Sequence, residues 1–137
     1  MSYAGFVPRM FLAALLLGFS AASAAQAPSP PSGSWSGLLK NDAGKRARVE
    51  AEFGPKGAIS LHFEEPYSCR TSASFLENDK EGIYYVVGVS TNGGTFCDKL
   101  HPGELVLSAV TVSSLTLSLT NGDMHWAGTL NAVSASP

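Results

Sequence analysis

The chain has 137 residues, a formal charge of −2, 15% charged side chains and 45% hydrophobic ones, enough for one domain with one core. Eleven acidic residues against nine basic ones leave no cationic stripe for a phosphate backbone or an anionic membrane surface. Nucleic acid is therefore not an expected partner.

Residues 1–25 read as an export signal. Arg9 is their only charge, the stretch from Met10 to Phe19 is apolar, and Ala21, Ala22, Ser23, Ala24 and Ala25 supply small residues, with cleavage expected after Ala24 or Ala25. The apolar stretch falls short of the roughly 20 residues a membrane span needs, so no membrane insertion is expected after cleavage. No cysteine closes the leader, which predicts no lipid anchor, and no Asn-x-Ser/Thr sequon occurs. The Ala-rich leader points to a bacterial periplasm, with release into the medium as the alternative. Losing Arg9 leaves eight basic against eleven acidic residues, a mature charge of −3.

Residues 26–34 contain Pro28, Pro30 and Pro31 among serines, a composition that predicts an extended spacer. The folded domain is expected over residues 35–137. Within it the dominant period is two. Ala47, Val49, Ala51 and Phe53 alternate with Arg46, Arg48, Glu50 and Glu52, which predicts a half-buried strand with a charged outer face. Gly54-Pro55-Lys56-Gly57 is a turn, after which Ile59, Leu61 and Phe63 face inward and Ser60 and His62 outward. Glu64-Glu65-Pro66 ends that strand.

Residues 69–77 place Cys69, Thr71, Ala73 and Phe75 on one parity, and 78–82 form a polar turn. Residues 83–89 are apolar on both parities, which predicts a strand covered on both faces. Asn92-Gly93-Gly94 is a turn signal, followed by a tethered segment over 95–104 that holds Cys97. Strands are expected over 105–112, 115–119 and 124–133, the last two joined at Asn121-Gly122-Asp123.

No stretch has a 3.6-residue period, and turn signals recur about every 8 to 12 residues, so the fold class is all-β. About eight strands with short links favour a small antiparallel meander, closed or nearly closed into a barrel; the alternative is a β-sandwich. Closure is suggested by an internal echo, Trp35-Ser36-Gly37-Leu38-Leu39 against Trp126-Ala127-Gly128-Thr129-Leu130. In both, Trp, Gly and Leu share the inward parity, so the first and last strands are expected to pair.

The two cysteines, Cys69 and Cys97, form an even pair in an exported chain and are expected to be a disulfide. Closing a loop of about 29 residues stabilises a fold by roughly 3 to 4 kcal/mol in the chain-entropy treatment.

No catalytic constellation emerges. G-x-S-x-G, H-E-x-x-H and a Gly-rich phosphate loop with its following Lys are all missing. Glu50 and Glu52 stand beside Arg46 and Arg48, and Glu64 and Glu65 diverge in a turn, so neither pair has the cleft that acid–base work requires. His62, His101 and His125 have no recognised ligand spacing, and neither a metal nor a cofactor is expected.

The expected inward set is bulky: Trp35, Val49, Phe53, Ile59, Leu61, Phe63, Phe75, Ile83, Tyr85, Val87, Leu105, Leu107, Leu115, Leu117, Leu119, Trp126 and Leu130. An eight-stranded barrel is just wide enough for such side chains to fill it. Partner recognition is therefore expected at the stapled loops, where Tyr67, Arg70, Phe96, Asp98, Lys99 and His101 combine the residue types of interface hot spots. Leu76, Tyr84 and Val86 make a second candidate interface.

These readings converge on an exported, non-enzymatic binding module that engages a protein of the cell envelope or medium, as an inhibitor or immunity protein does. Two alternatives accompany it: a carrier of a small apolar ligand inside the barrel, and an enzyme or metal-binding protein using surface histidines together with Asp98. Oligomeric state has no signature in the sequence.

Overall fold

The period-two segments become eight antiparallel strands in the computed structural model, which describes residues 29–134 together with Gly5 and Gly18. Apart from those two glycines, the expected leader over 1–25 and the start of the spacer lie outside the described residues. In chain order the strands are β1 (Gly33–Asn41), β2 (Arg46–Phe53), β3 (Ala58–Phe63), β4 (Cys69–Asn78), β5 (Ile83–Val87), β6 (Glu104–Ser108), β7 (Ser114–Asn121) and β8 (Met124–Ala132). Each pairs with the next and β8 returns to β1, giving a closed up-and-down barrel rather than two facing sheets.

Closure depends on the two W-x-G-x-L segments. The β1–β8 register sets Trp35 opposite Ala132 and Gly37 opposite Leu130. A methyl group at Gly37 would run into the Thr129 carbonyl oxygen, and one at Gly128 into the Leu38 carbonyl oxygen. Only a hydrogen lets the two backbones approach this closely, so both positions of the seam require glycine. Closure also removes both edges that an open meander would expose.

The interior is filled by the inward parity of all eight strands. Leu39, Val49, Leu61, Phe63, Ile83, Tyr85, Leu105, Leu107, Leu117 and Leu130 are fully buried, and Trp35 and Trp126 nearly so. Trp35 Nε1 donates to the Ser32 carbonyl at 3.0 Å, tying the end of the spacer to the start of β1, and its ring meets Phe53 edge-on at 6.3 Å. Thr71, the buried polar residue of the strands, donates from Oγ1 to the Gly88 carbonyl at 3.0 Å. Tyr85 Oη and Trp126 Nε1 are buried with no partner among the described residues.

Three expectations need correction, and the segment over 95–104 gains an element. Phe75 has inward parity but is 42% exposed. Leu76 is an extra residue between the pairs Phe75–Tyr85 and Glu77–Tyr84, and this bulge turns the end of β4 outward. The strand expected over 105–112 stops at Ser108, because Ala109 takes φ 50°, a left-handed conformation that cannot continue a strand. The segment over 95–104 contains a single helical turn, α1 (Thr95–Asp98), too short to show a 3.6-residue period. Finally, the outer face of β5 is open rather than covered among the described residues: Val86 is 41% exposed and Tyr84 half-buried.

Candidate functional site

One end of the barrel gathers the β3–β4 link, the long β5–β6 link with α1, and the β7–β8 turn. Cys69, first residue of β4, and Cys97 in α1 form the expected disulfide, with Cα atoms 6.0 Å apart and both side chains buried. Gly94 makes room for it. Its φ of 104° excludes ordinary side chains, and a Cβ there would approach Cys69 Cβ to 2.9 Å.

Further bonds hold the same loops. Arg70 N donates to Asn92 Oδ1 at 2.9 Å, and Thr91 N donates to the Arg70 carbonyl at 3.0 Å. Asn121 Nδ2 reaches across from the β7–β8 turn to the carbonyls of Lys99 (2.7 Å) and His101 (3.2 Å). Loops tied by a disulfide, a side-chain amide and backbone bonds lose little entropy when they dock.

Tyr67 and Phe96 face the core more than a partner. Phe96 stacks on Tyr67 with centroids 4.2 Å apart, and meets Phe63 at 4.8 Å and Trp126 at 5.3 Å, both edge-on. Tyr67 also meets Trp126 edge-on at 6.1 Å. The two half-buried rings therefore plug the barrel mouth. This cluster joins positions far apart in the chain, so parity alone does not reveal it.

The polar members of the set are exposed. Asp98 and Lys99 stand on and after α1, His101 comes two residues later, and Arg70 projects from the outer face of β4. His101 Nδ1 lies 3.0 Å from the Val87 carbonyl; because a carbonyl only accepts, Nδ1 is the donor, which fixes the ring's orientation.

On the opposite flank, Leu76 (56% exposed), Val86 and half-buried Tyr84 share the outer face of β4 and β5. Tyr84 Oη approaches Asp79 Oδ1 at 3.5 Å. Its phenol is pushed up from its ordinary range by desolvation first, then by the negative charges of Asp79, Glu81 and Glu104.

The histidines do not converge. His62 Nδ1 lies 3.6 Å from Glu50 Oε2, while His125 Nδ1 lies 3.6 Å from Asp42 Oδ1 and its Nε2 3.2 Å from Ser118 Oγ. Among the described residues no group of three or more His, Cys, Asp or Glu side chains is placed to hold a metal.

One feature was not legible as a site. The outer faces of β2, β3 and β4 curve into an open groove of about 490 Å³, within the usual size of small-ligand sites. Glu50, Glu52, Ser60, His62, Arg70 and Ser72 line it, walled by Ser34, Thr91 and Val133. The outward parity of these residues is plain in the sequence; that three strands bring them together around a hollow is not.

No protein-family model matches the chain, and no curated protein matches it significantly. Among solved structures it is similar to a redesigned beta barrel, with a TM-score of 0.55 over 75% of this chain and 91% of that one, at 12% identity. A likeness at that identity speaks for the fold alone.

Proposed function

We propose that the mature chain is an exported, non-enzymatic binding module that engages a protein partner through its disulfide-stapled end, in the manner of an inhibitor or immunity protein. The supporting observation is that Arg70, Asp98, Lys99 and His101 stand exposed on backbone tied by Cys69–Cys97 and Asn121. Arg and charged side chains presented on pre-ordered loops give affinity without a large ordering cost. The leader and the disulfide favour an oxidising compartment, and so a partner in the envelope or medium. The filled interior favours surface recognition over carriage, because an internal ligand would have to displace packed side chains.

The test is a double charge reversal, Asp98→Lys with Lys99→Glu, which exchanges the two charges without altering the net charge or the plug. Capture of a specific envelope or medium protein by the natural chain, lost in the variant at unchanged Tm, supports the reading. Equal capture by both chains overturns it.

A further inference from the structure

We infer that the outer groove across β2, β3 and β4 is a second binding site, fitted to a short zwitterionic peptide of about three residues. Its carboxylate would lie on Arg70 and its ammonium group on Glu52. Neither Asp98 nor Lys99 lines the groove, so it is distinct from the stapled-end contact proposed above, although Arg70 borders both.

Strand register sets the geometry. Glu50 pairs with His62 and His62 with Arg70, forming one outward row; Glu52 pairs with Ser60 and Ser60 with Ser72, forming the next. Arg70 and Glu52 therefore occupy opposite corners, two strands apart at about 4.8 Å each and two residues apart at about 3.4 Å each, a diagonal of about 12 Å between Cα atoms. An extended tripeptide, at about 3.4 Å per residue, places its terminal charges about 10 Å apart, and the two long side chains lean in to close the difference.

Charge selects the ligand. Neither the Arg70 guanidinium nor the Glu52 carboxylate has an ion-pair partner among the described residues, whereas Glu50 is engaged with His62 at 3.6 Å. A dianion on Arg70 would meet Glu52, and a dication on Glu52 would meet Arg70; a ligand with one charge of each sign satisfies both corners. Between them Ser60 and His62 hold the middle positions of the two rows, and the Ser60 hydroxyl offers a donor and acceptor to peptide amides. Glu52 and Arg70 are both exposed, so each contact is a surface ion pair of modest strength and it is the two together that select the ligand.

The experiment titrates the mature protein with trialanine, its C-terminal amide and its N-acetyl form, followed by backbone amide shifts. Saturable binding of trialanine with shifts centred on Glu52, His62 and Arg70, weakened about two- to fivefold by either cap, is the expected result. Glu52→Gln should abolish the effect of acetylation, and Arg70→Gln that of amidation. Equal binding of all three peptides, or no saturable binding of trialanine, overturns the inference. The Asp98/Lys99 exchange leaves this groove unchanged, so the two sites fail separately.

Discussion

Replacing Phe96 by alanine separates a plug from a contact residue. The ring is half-buried and touches Phe63, Tyr67 and Trp126, with centroids between 4.2 and 5.3 Å. A fully buried Phe→Ala change costs about 3–5 kcal/mol, and half-burial brings the transfer part to roughly 2 kcal/mol. Three aromatic partners at about 0.5–1.5 kcal/mol each add to this, with overlap, so the expected loss is about 3 kcal/mol. For a domain of this size that lowers Tm by roughly 10–20 °C. Phe96→Leu keeps apolar volume but removes the ring contacts, and should lose about 1 kcal/mol. Urea unfolding followed by tryptophan fluorescence, from Trp35 and from Trp126 beside this ring, measures both. A loss below about 0.5 kcal/mol for Phe96→Ala would refute the plug and return the ring to the partner surface.

Three further outcomes are expected. Gly128→Ala forces a methyl into the Leu38 carbonyl at the seam and should cost on the order of 3 kcal/mol by urea midpoint; a neutral change would mean that β1 and β8 are not this close. Replacing Cys69 and Cys97 by alanine reopens a loop spanning 28 positions and should cost about 3–4 kcal/mol, while an unchanged midpoint would mean that the staple adds nothing to stability. Burial pushes the Tyr85 hydroxyl up to about 12 from the ordinary value of 10.0. Between those values the unfolded chain sheds the proton while the folded chain keeps it, so stability falls as pH rises through that window and is unaffected by this group below it. Tyr84 acts in the same direction. Tyr85→Phe should flatten the alkaline slope without destabilising the fold at neutral pH, since it removes a hydroxyl with no partner among the described residues; an undiminished slope would contradict this.

Where parity alone decides a residue's role, the sequence was a sufficient guide. Ala47 to Phe53, Ile59 to Phe63 and Leu115 to Leu119 face as their alternation requires, and the Trp-Gly-Leu echo identified both strands of the seam. The cysteine pair came from compartment and even count. The features that escaped depend on local backbone geometry or on distant contacts. The left-handed φ at Ala109 and the extra residue at Leu76 carry no glycine to announce them, and each redirects the residues after it. The plug and the groove both join separate segments: one stacks Tyr67 on Phe96 across two loops, and the other gathers side chains of three strands around a hollow. Tyr67 and Phe96 thus read as hot spots from residue type, while their contacts describe a seal over the core.

A photo-crosslinking amino acid placed at Asp98 or Lys99 of the protein, expressed in its own host, interrogates the stapled end most directly. One protein species crosslinked from both positions, and absent when the probe stands at Thr116 on the outer face of β7, is the expected result. No adduct from either loop position, or the same species captured equally from Thr116, would contradict recognition through that end.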